Sequence, residues 1–176
     1  MRLFSFALVA AAASGLCLLS CASSGSRLEK QIATAAAERD QFCDEDGDQA
    51  AADVLRAVES AEPLYVNVRL GKTWDTRLLG ARLRLTAREG WTAQWLERTL
   101  RCHEASSALQ REFAPAADPF WLPDSWVDIE VVPDRGAFVA ILRVNRVDEG
   151  RQVYGRARDF VAIPPGERWR GAGAHL

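Results

Sequence analysis

The sequence predicts an α+β two-layer sandwich: a four-stranded, largely antiparallel sheet with helices on one face, preceded by one or two N-terminal helices. Three observations predict it. Residues 64–70, 81–88 and 127–132 alternate apolar with polar positions, the period of a strand with one buried face. Ala137 to Val144 is apolar on both faces, as a strand in the middle of a sheet is. Between the second and third strands, Trp91 to Leu109 carries apolar residues at helical spacing. Taken in order the body reads β-β-α-β-β-α, which makes one sheet with its helices segregated to one side.

Ahead of this body the chain opens on a leader. Arg2 supplies a positive start, Leu3 to Ala13 is almost unbroken apolar sequence, and the small residues Ser14, Gly15 and Ser20 lead to a cleavage point. The apolar run falls short of the roughly 20 residues that a hydrocarbon core demands, so residues 1–20 read as an export signal and not as a membrane helix. The leader ends in Leu18-Leu19-Ser20-Cys21, which resembles the lipobox of bacterial lipoproteins. The resemblance implies diacylglycerol on the Cys21 sulfur, cleavage before Cys21 and acylation of the new amino terminus. The other reading is an ordinary cleaved signal with Cys21 as a passenger thiol. Ala22 follows the cysteine where Asp does not, which in that family favours the outer membrane. Several acyl chains on one residue hold a protein stably. The expected setting is therefore the cell envelope, facing the periplasm or the exterior, with the membrane as one partner and an envelope protein or cell-wall component as another.

Residues 21–25 read as a lipidated tether and 26–62 as a helical region. Ser26-Arg27-Leu28-Glu29 fits a capping box that opens a helix to about Phe42, with Leu28, Ile32, Ala35 or Ala36 and Arg39 along a weak face. Glu38 to Asp48 holds six acids, and Asp44, Asp46 and Asp48 alternate as in a calcium loop; Gln49 and Leu55 stand where that loop needs Gly and Glu, so a solvated acidic turn is expected. Asp48 is the expected cap of a second helix, about Gln49 to Ser60, presenting Ala51, Ala52, Leu55 and Val58 inward and ended by Pro63.

The α+β domain is expected over 63–162. Leu64, Val66, Val68 and Leu70 share one face of the first strand; a loop over 71–80 leads to a second strand with Leu83, Leu85 and Ala87 inward. Thr92 caps the central helix, and Trp91 before it is placed to staple onto Leu96. Trp95, Thr99, Cys102, Ser106 and Leu109 form one row there, with Leu96, Leu100 and His103 beside it. The run Thr92-Ala93-Gln94-Trp95-Leu96-Glu97-Arg98 to Cys102-His103 is similar to a "TAxWLxRxxxCH" pattern in uncharacterised bacterial lipoproteins, which implies a shared domain and no chemistry. Phe113 to Ser125, with Pro115, Pro119 and Pro123, reads as a connection whose Phe120 and Trp121 either form a binding lip or fold back over the core. Trp126 to Val132 is a strand with Val127, Ile129 and Val131 inward, and Pro133-Asp134-Arg135-Gly136 is the turn into the next. Val153, Tyr154, Ala157, Phe160 and Val161 favour a helix over 147–161, although alternation through Arg151, Val153, Gly155 and Ala157 keeps a strand open. Residues 163–176, with Pro164-Pro165 and a Gly-rich end, read as a flexible tail.

The length of 176 residues suits one domain. With 22 basic against 24 acidic residues and no basic tail, nothing points to nucleic acid. With Cys17 removed in the leader and Cys21 lipidated, Cys43 and Cys102 remain as an even pair in an oxidising compartment, which reads as a disulfide. The alternative is a thiol or metal site on Cys43, Cys102 and His103; neighbours on a helix point about 100° apart, which opposes a shared grip by Cys102 and His103. Arg69, Arg82, Arg84 and Arg88 fall on the outer sheet face with Asp128 and Glu130, either to meet an anionic partner or to form cross-strand ion pairs. No catalytic motif or cofactor signature is present: His103 has no evident nucleophile or acid beside it in sequence, and the carboxylate pair Asp118 and Asp124 has no recognisable frame. The expected function is an envelope-anchored, non-catalytic binding or structural protein.

Overall fold

The computed structural model describes residues 22–44, 46–110, 117–123 and 125–168. Cys21 and the leader lie outside the described residues, as do Glu45 and Asp124. The elements are α1 (Ala22–Phe42), α2 (Gly47–Arg56), β1 (Val58–Leu70), β2 (Thr73–Thr86), α3 (Ala93–Leu109), β3 (Asp128–Asp134), β4 (Ala137–Arg143) and α4 (Val147–Ala162). The strands form one open sheet in the order β1-β2-β4-β3, antiparallel throughout, so the fold is α+β with the apolar β4 inside.

Alternation places Ala81, Leu83 and Leu85 of β2, Ala140 and Leu142 of β4, and Ile129 and Val131 of β3 on one face. Val54 and Leu55 of α2, Leu96 and Leu100 of α3, and Val153, Ala157 and Phe160 of α4 close over it in a single core. Each fully buried aliphatic side chain contributes about 1.5–3 kcal/mol. α4 settles the ambiguous segment as a helix, because its 3.6-residue stripe lands on this core. Its Gly150 lies so close to the sheet that a Cβ would come within 2.4 Å of the Leu78 carbonyl oxygen. α1 forms an outer layer on α3, with Ala35 buried against Ala108 and Trp121.

Several boundaries differ from the sequence reading. The helix α1 already includes 22–25, so the expected tether is helical and Ser26 is interior rather than a cap. Its buried positions are Gln31 and Ala35, whereas Ile32 is 42% exposed, since the Gln31 amide turns inward to donate to the Leu122 and Ser125 carbonyls. α2 spans Gly47–Arg56 and not 49–60; Asp46 stands at the cap position and Asp48 is inside the helix. Val58 to Pro63 pairs with Ala81 to Leu85 instead, and sheet hydrogen bonding overrides the helical pattern there. Pro63 therefore sits within β1, which an edge strand tolerates because the proline owes no N–H to a second neighbour.

The expected loop 71–80 is mostly strand. Thr73 to Leu78 pairs with Tyr65 to Leu70 around a turn at Gly71, whose φ is 61°. β4 reaches along β2 only from Thr86 to Gly80, so the hairpin beyond Gly80 is a two-stranded ribbon that leaves the sheet. That is why Val66 and Val68 are only half-buried and Leu70 is 46% exposed. Ala87 lies past the end of β2 and is exposed. Gly80 marks the exit: with φ 150° and a hypothetical Cβ 1.8 Å from the Leu142 carbonyl oxygen, no other residue fits. The β3–β4 turn is tighter than expected, with Pro133 and Asp134 in the strand and Arg135 (φ 48°) and Gly136 (φ 82°) alone at the corner. Trp126 and Val127 precede β3.

Beyond α4 the chain does not fray at once. Arg168 is buried over the Phe160 ring and donates to the carbonyls of Val58 (2.5 Å), Ile163 (2.8 Å) and Val161 (3.0 Å). Its fork of donors satisfies helix-end carbonyls and ties residues 163–168, expected in the flexible tail, back to β1.

Candidate functional site

The thiols come together as cysteine counting predicts. Cys43 follows α1, Cys102 lies on the buried side of α3, and their sulfurs stand at disulfide distance, 2.05 Å, with the Cα atoms 5.0 Å apart. Gly47 at the start of α2 gives the pair room: a Cβ there would meet the Cys102 sulfur at 3.0 Å. A cleft of about 260 Å³ opens beside it between Phe42, Asp44, Asp46, Trp95 and Arg98. Arg98 closes onto its acidic rim, donating to the Phe42 carbonyl at 3.0 Å and pairing with Asp44. His103 does not join the two cysteines; among the described residues no group of three His, Cys, Asp or Glu side chains is arranged to hold a metal ion.

The His103 ring instead meets a partner that sequence reasoning did not find. Its Nε2 lies 2.8 Å from Asp118 Oδ2, and both residues are buried. The other Asp118 oxygen accepts the Phe120 N–H at 2.9 Å, and Ser107 Oγ donates to Oδ2 at 3.4 Å. Burial opposes the Asp118 charge, but His103 and these hydrogen bonds outweigh it and hold the carboxyl below its ordinary range. Arg156 of α4 donates to the Trp121 and Asp118 carbonyls at 2.7 and 3.3 Å and lies over the Trp121 ring. The loop 117–122 is thus stitched to α3 and α4, and Phe120, Trp121 and Leu122 fold over the core rather than forming a lip. The order of contacts is Ser107–Asp118–His103: the acid bridges serine and histidine, whereas an activated nucleophile needs the histidine in the middle. The signal for this tie was available in part, since a buried histidine requires a partner and Asp-Pro-Phe is an Asx-turn sequence whose acid accepts from the residue two on.

The third polar cluster runs along β3. Glu97 Oε2 accepts the Val131 N–H (3.2 Å), Arg101 donates to the Ile129 carbonyl (3.4 Å) and Glu104 Oε1 accepts the Val127 N–H (2.7 Å). Spaced at i, i+4 and i+7 on α3, these side chains supply the bonds that a further strand would supply. Glu104 is 1% exposed and its Oε2 has no hydrogen-bond partner among the described residues. Burial pushes its carboxyl well above the usual range; the Val127 N–H opposes that, and the nearby Glu38 and Asp118 carboxylates add to it.

Of the four arginines expected on the outer sheet face, Arg82 and Arg84 lie on the sheet itself, among acids and not in a positive patch. Arg82 and Arg84 point away from the helices; Arg82 stands opposite Glu62, and Arg84 pairs with Asp134 (3.0 Å) and Glu59 (3.7 Å). Asp128 and Glu130 share that side. Arg69 lies far along the ribbon, opposite Trp74, and donates to the Gly71 carbonyl; Arg88 sits past β2 with its guanidinium 5.1 Å from the Trp91 ring centre. The four arginines therefore serve three surroundings. Comparison with family models, with curated proteins and with solved structures finds no match to this chain.

Proposed function

We propose that this chain is a lipid-anchored envelope protein, held through Cys21, whose α+β body binds or supports another envelope component without catalysis. The leader carries the reading: a basic start, a short apolar run and Leu18-Leu19-Ser20-Cys21 in that order. Two features of the body support it. The Cys43–Cys102 pair suits an oxidising compartment, because cytosolic reductants keep such thiols apart. The strongest polar constellations, around His103–Asp118 and Glu104, are spent on holding loop 117–122 and strand β3 in place, and the outer sheet face, with its alternating charges, is left open as a surface.

The test is the mass and fractionation of the mature protein against Cys21→Ser. The expected protein sits in the membrane fraction and carries diacylglyceryl and acyl mass on a chain that begins at Cys21; the variant keeps its leader and shifts in mobility. A variant still membrane-bound and unchanged in mobility refutes the anchor. The same measurement with and without reductant and alkylation addresses the thiols. Free thiols with stoichiometric zinc or copper would replace the binding role with a thiol or metal role for Cys43, Cys102 and His103.

A further inference from the structure

The ribbon beyond Gly80 carries surface that the domain's own stability does not explain. Trp74, 70% exposed, and Leu70, 46% exposed, lie at the free end of one hairpin, and Tyr65, 61% exposed, stands at its base opposite Leu78. Single exposed apolar residues are ordinary, but three along one projecting hairpin, two of them at its tip, have nothing among the described residues to cover them. Tyr65, Arg69 and Trp74 lie on one side of the ribbon and Leu70 on the other, so the tip offers apolar groups on both faces. Its charge is basic: Arg69, Lys72 and Arg77 stand against Asp75 alone, and Asp75 is held by Arg77 at 2.9 Å, leaving Arg69 opposite Trp74 and Lys72 in the turn.

The topology gives this tip a direction. Gly80, where the ribbon leaves the sheet, is level with Arg143 of β4 and Asp128 of β3. Just before Asp128 lie Ser125 and Leu122, whose carbonyls receive the Gln31 amide of α1. Glu104 near the end of α3 bonds to Val127 at the same level, and α1 runs antiparallel to α3, with its end at the Arg98 level. The N-terminal part of α1 and the ribbon therefore leave the domain from the same end. From Gln31 back to Ala22 a helix extends about 14 Å, and from Gly80 to Thr73 a strand extends about 24 Å.

From this juxtaposition we infer that the β1–β2 ribbon is a membrane-contacting finger that sets its tip, with Trp74 and Leu70, into the interface of an anionic phospholipid surface, with Arg69 and Lys72 on its phosphates. The inference rests on the lipid-anchor reading, since acyl chains at Cys21, one residue before α1, bring this end of the domain to the bilayer. The chemistry fits lipid: tryptophan and tyrosine rings settle at headgroup depth, basic side chains reach phosphates while their stems lie along apolar surface, and the tip is positive where the surface is negative. The finger gives a tethered domain a second point of contact, which fixes its orientation and turns the alternating-charge face of the sheet to one side of the bilayer normal.

The test uses the native mature protein in vesicles of phosphatidylcholine with phosphatidylglycerol, both carrying brominated acyl chains, compared with Trp74→Phe. The expected result is bromine quenching of tryptophan emission in the wild type, lost in Trp74→Phe, and weakened by salt. Arg69→Ala and Lys72→Ala each lower the contact equilibrium about fivefold, and both side chains are exposed, so unchanged thermal unfolding verifies that the variants are folded. Equal quenching in wild type and Trp74→Phe, while both float with the vesicles, overturns the finger and leaves the anchor standing. Trp74 shielded from aqueous acrylamide in native envelopes but not on vesicles assigns a protein occupant and also overturns it. A mature chain without acyl mass that still shows Trp74-dependent quenching keeps the finger and removes the anchor; one with neither removes both.

Discussion

The sheet ends in two edge strands protected by opposite means. β3 is seven residues long and lies under α3, where Glu97, Arg101 and Glu104 meet the Val131, Ile129 and Val127 backbone. β1 is thirteen residues long and, among the described residues, no helix satisfies its outer edge in this way; it is interrupted by register shifts at Val58/Ser60 and Pro63/Tyr65 and by a proline that has no N–H to present. A free edge is a template for pairing with another chain. Covering it, as at β3, moves charged side chains into the interior and makes that half of the molecule sensitive to substitution and to protons. Breaking it up, as at β1, costs the core little and frees the distal residues for contact outside the fold.

The sharpest contrast comes from removing one partner of a buried polar tie on the covered side. Asp118→Ala removes the carboxylate that His103, Ser107 and the Phe120 N–H share, and is expected to destabilise by about 3–5 kcal/mol in denaturant unfolding. A loss under about 1 kcal/mol would mean that loop 117–122 is not held by this network and that the two halves differ less than their geometry implies. The Asp118 tie should also fail at acid pH. Its depressed folded pKa gives stability that is present above the ordinary aspartate range and lost as pH falls through the folded value.

The next effect in size belongs to the covalent link that clamps the helices over the covered side. Cys43→Ala with Cys102→Ala opens a link spanning 59 residues and is expected to lower stability by about 2–4 kcal/mol. Reductant should reproduce that loss in the wild type and leave the double variant where it is. A wild type indifferent to reductant would remove the clamp from the account of this side.

Glu104 makes the covered edge pH-sensitive in the other direction. Its folded pKa is raised, so the folded state holds the proton more tightly than the unfolded chain does; that stability is complete below the ordinary glutamate range and declines as pH rises through the folded value. Glu104→Gln keeps an acceptor for the Val127 N–H and removes the titration. Thermal unfolding between acid and neutral pH is expected to show a downward slope in the wild type that is absent in the variant. Parallel slopes would place the proton uptake elsewhere.

The two edges also differ in how far they could be read from sequence. Alternation locates β3 and the inner half of β2, where one buried face writes a period of two into the sequence, and β4 shows as a run apolar on both faces because it lies inside the sheet. The ribbon strand Thr73-Trp74-Asp75-Thr76-Arg77 has no buried face, so it carries no such period and reads as a loop. Val58 to Ala61 continues the helical pattern of Val54 and Leu55, and only its partner Leu83–Leu85 decides for strand, a contact that local sequence does not contain. The pairing of Cys43 with Cys102 follows from counting cysteines when Cys17 is taken as part of an expected leader and Cys21 as lipidated. The Asp118 partner of His103 does not follow from sequence, because it joins a helix to an irregular loop, and the burial of Glu104 depends on β3 lying beside α3, a contact that local sequence does not contain.

The smallest expected change is on the open side, and it separates an interaction surface from a structural one. Trp74→Ala removes a large side chain, yet one that is largely in water, so it should shift unfolding by less than about 0.5 kcal/mol, a fraction of what Leu100→Ala would cost in the core. Amide exchange carries the same comparison to the backbone. β3, though short, should exchange only through large-scale opening because α3 and β4 hold both of its edges, while amides from Tyr65 to Leu78 exchange through local fraying of a two-stranded ribbon. If the ribbon in detergent-free solution is as protected as β3, or if Trp74→Ala destabilises by several kcal/mol, Trp74 is packed against the domain, and its aromatic surface is not available to the bilayer.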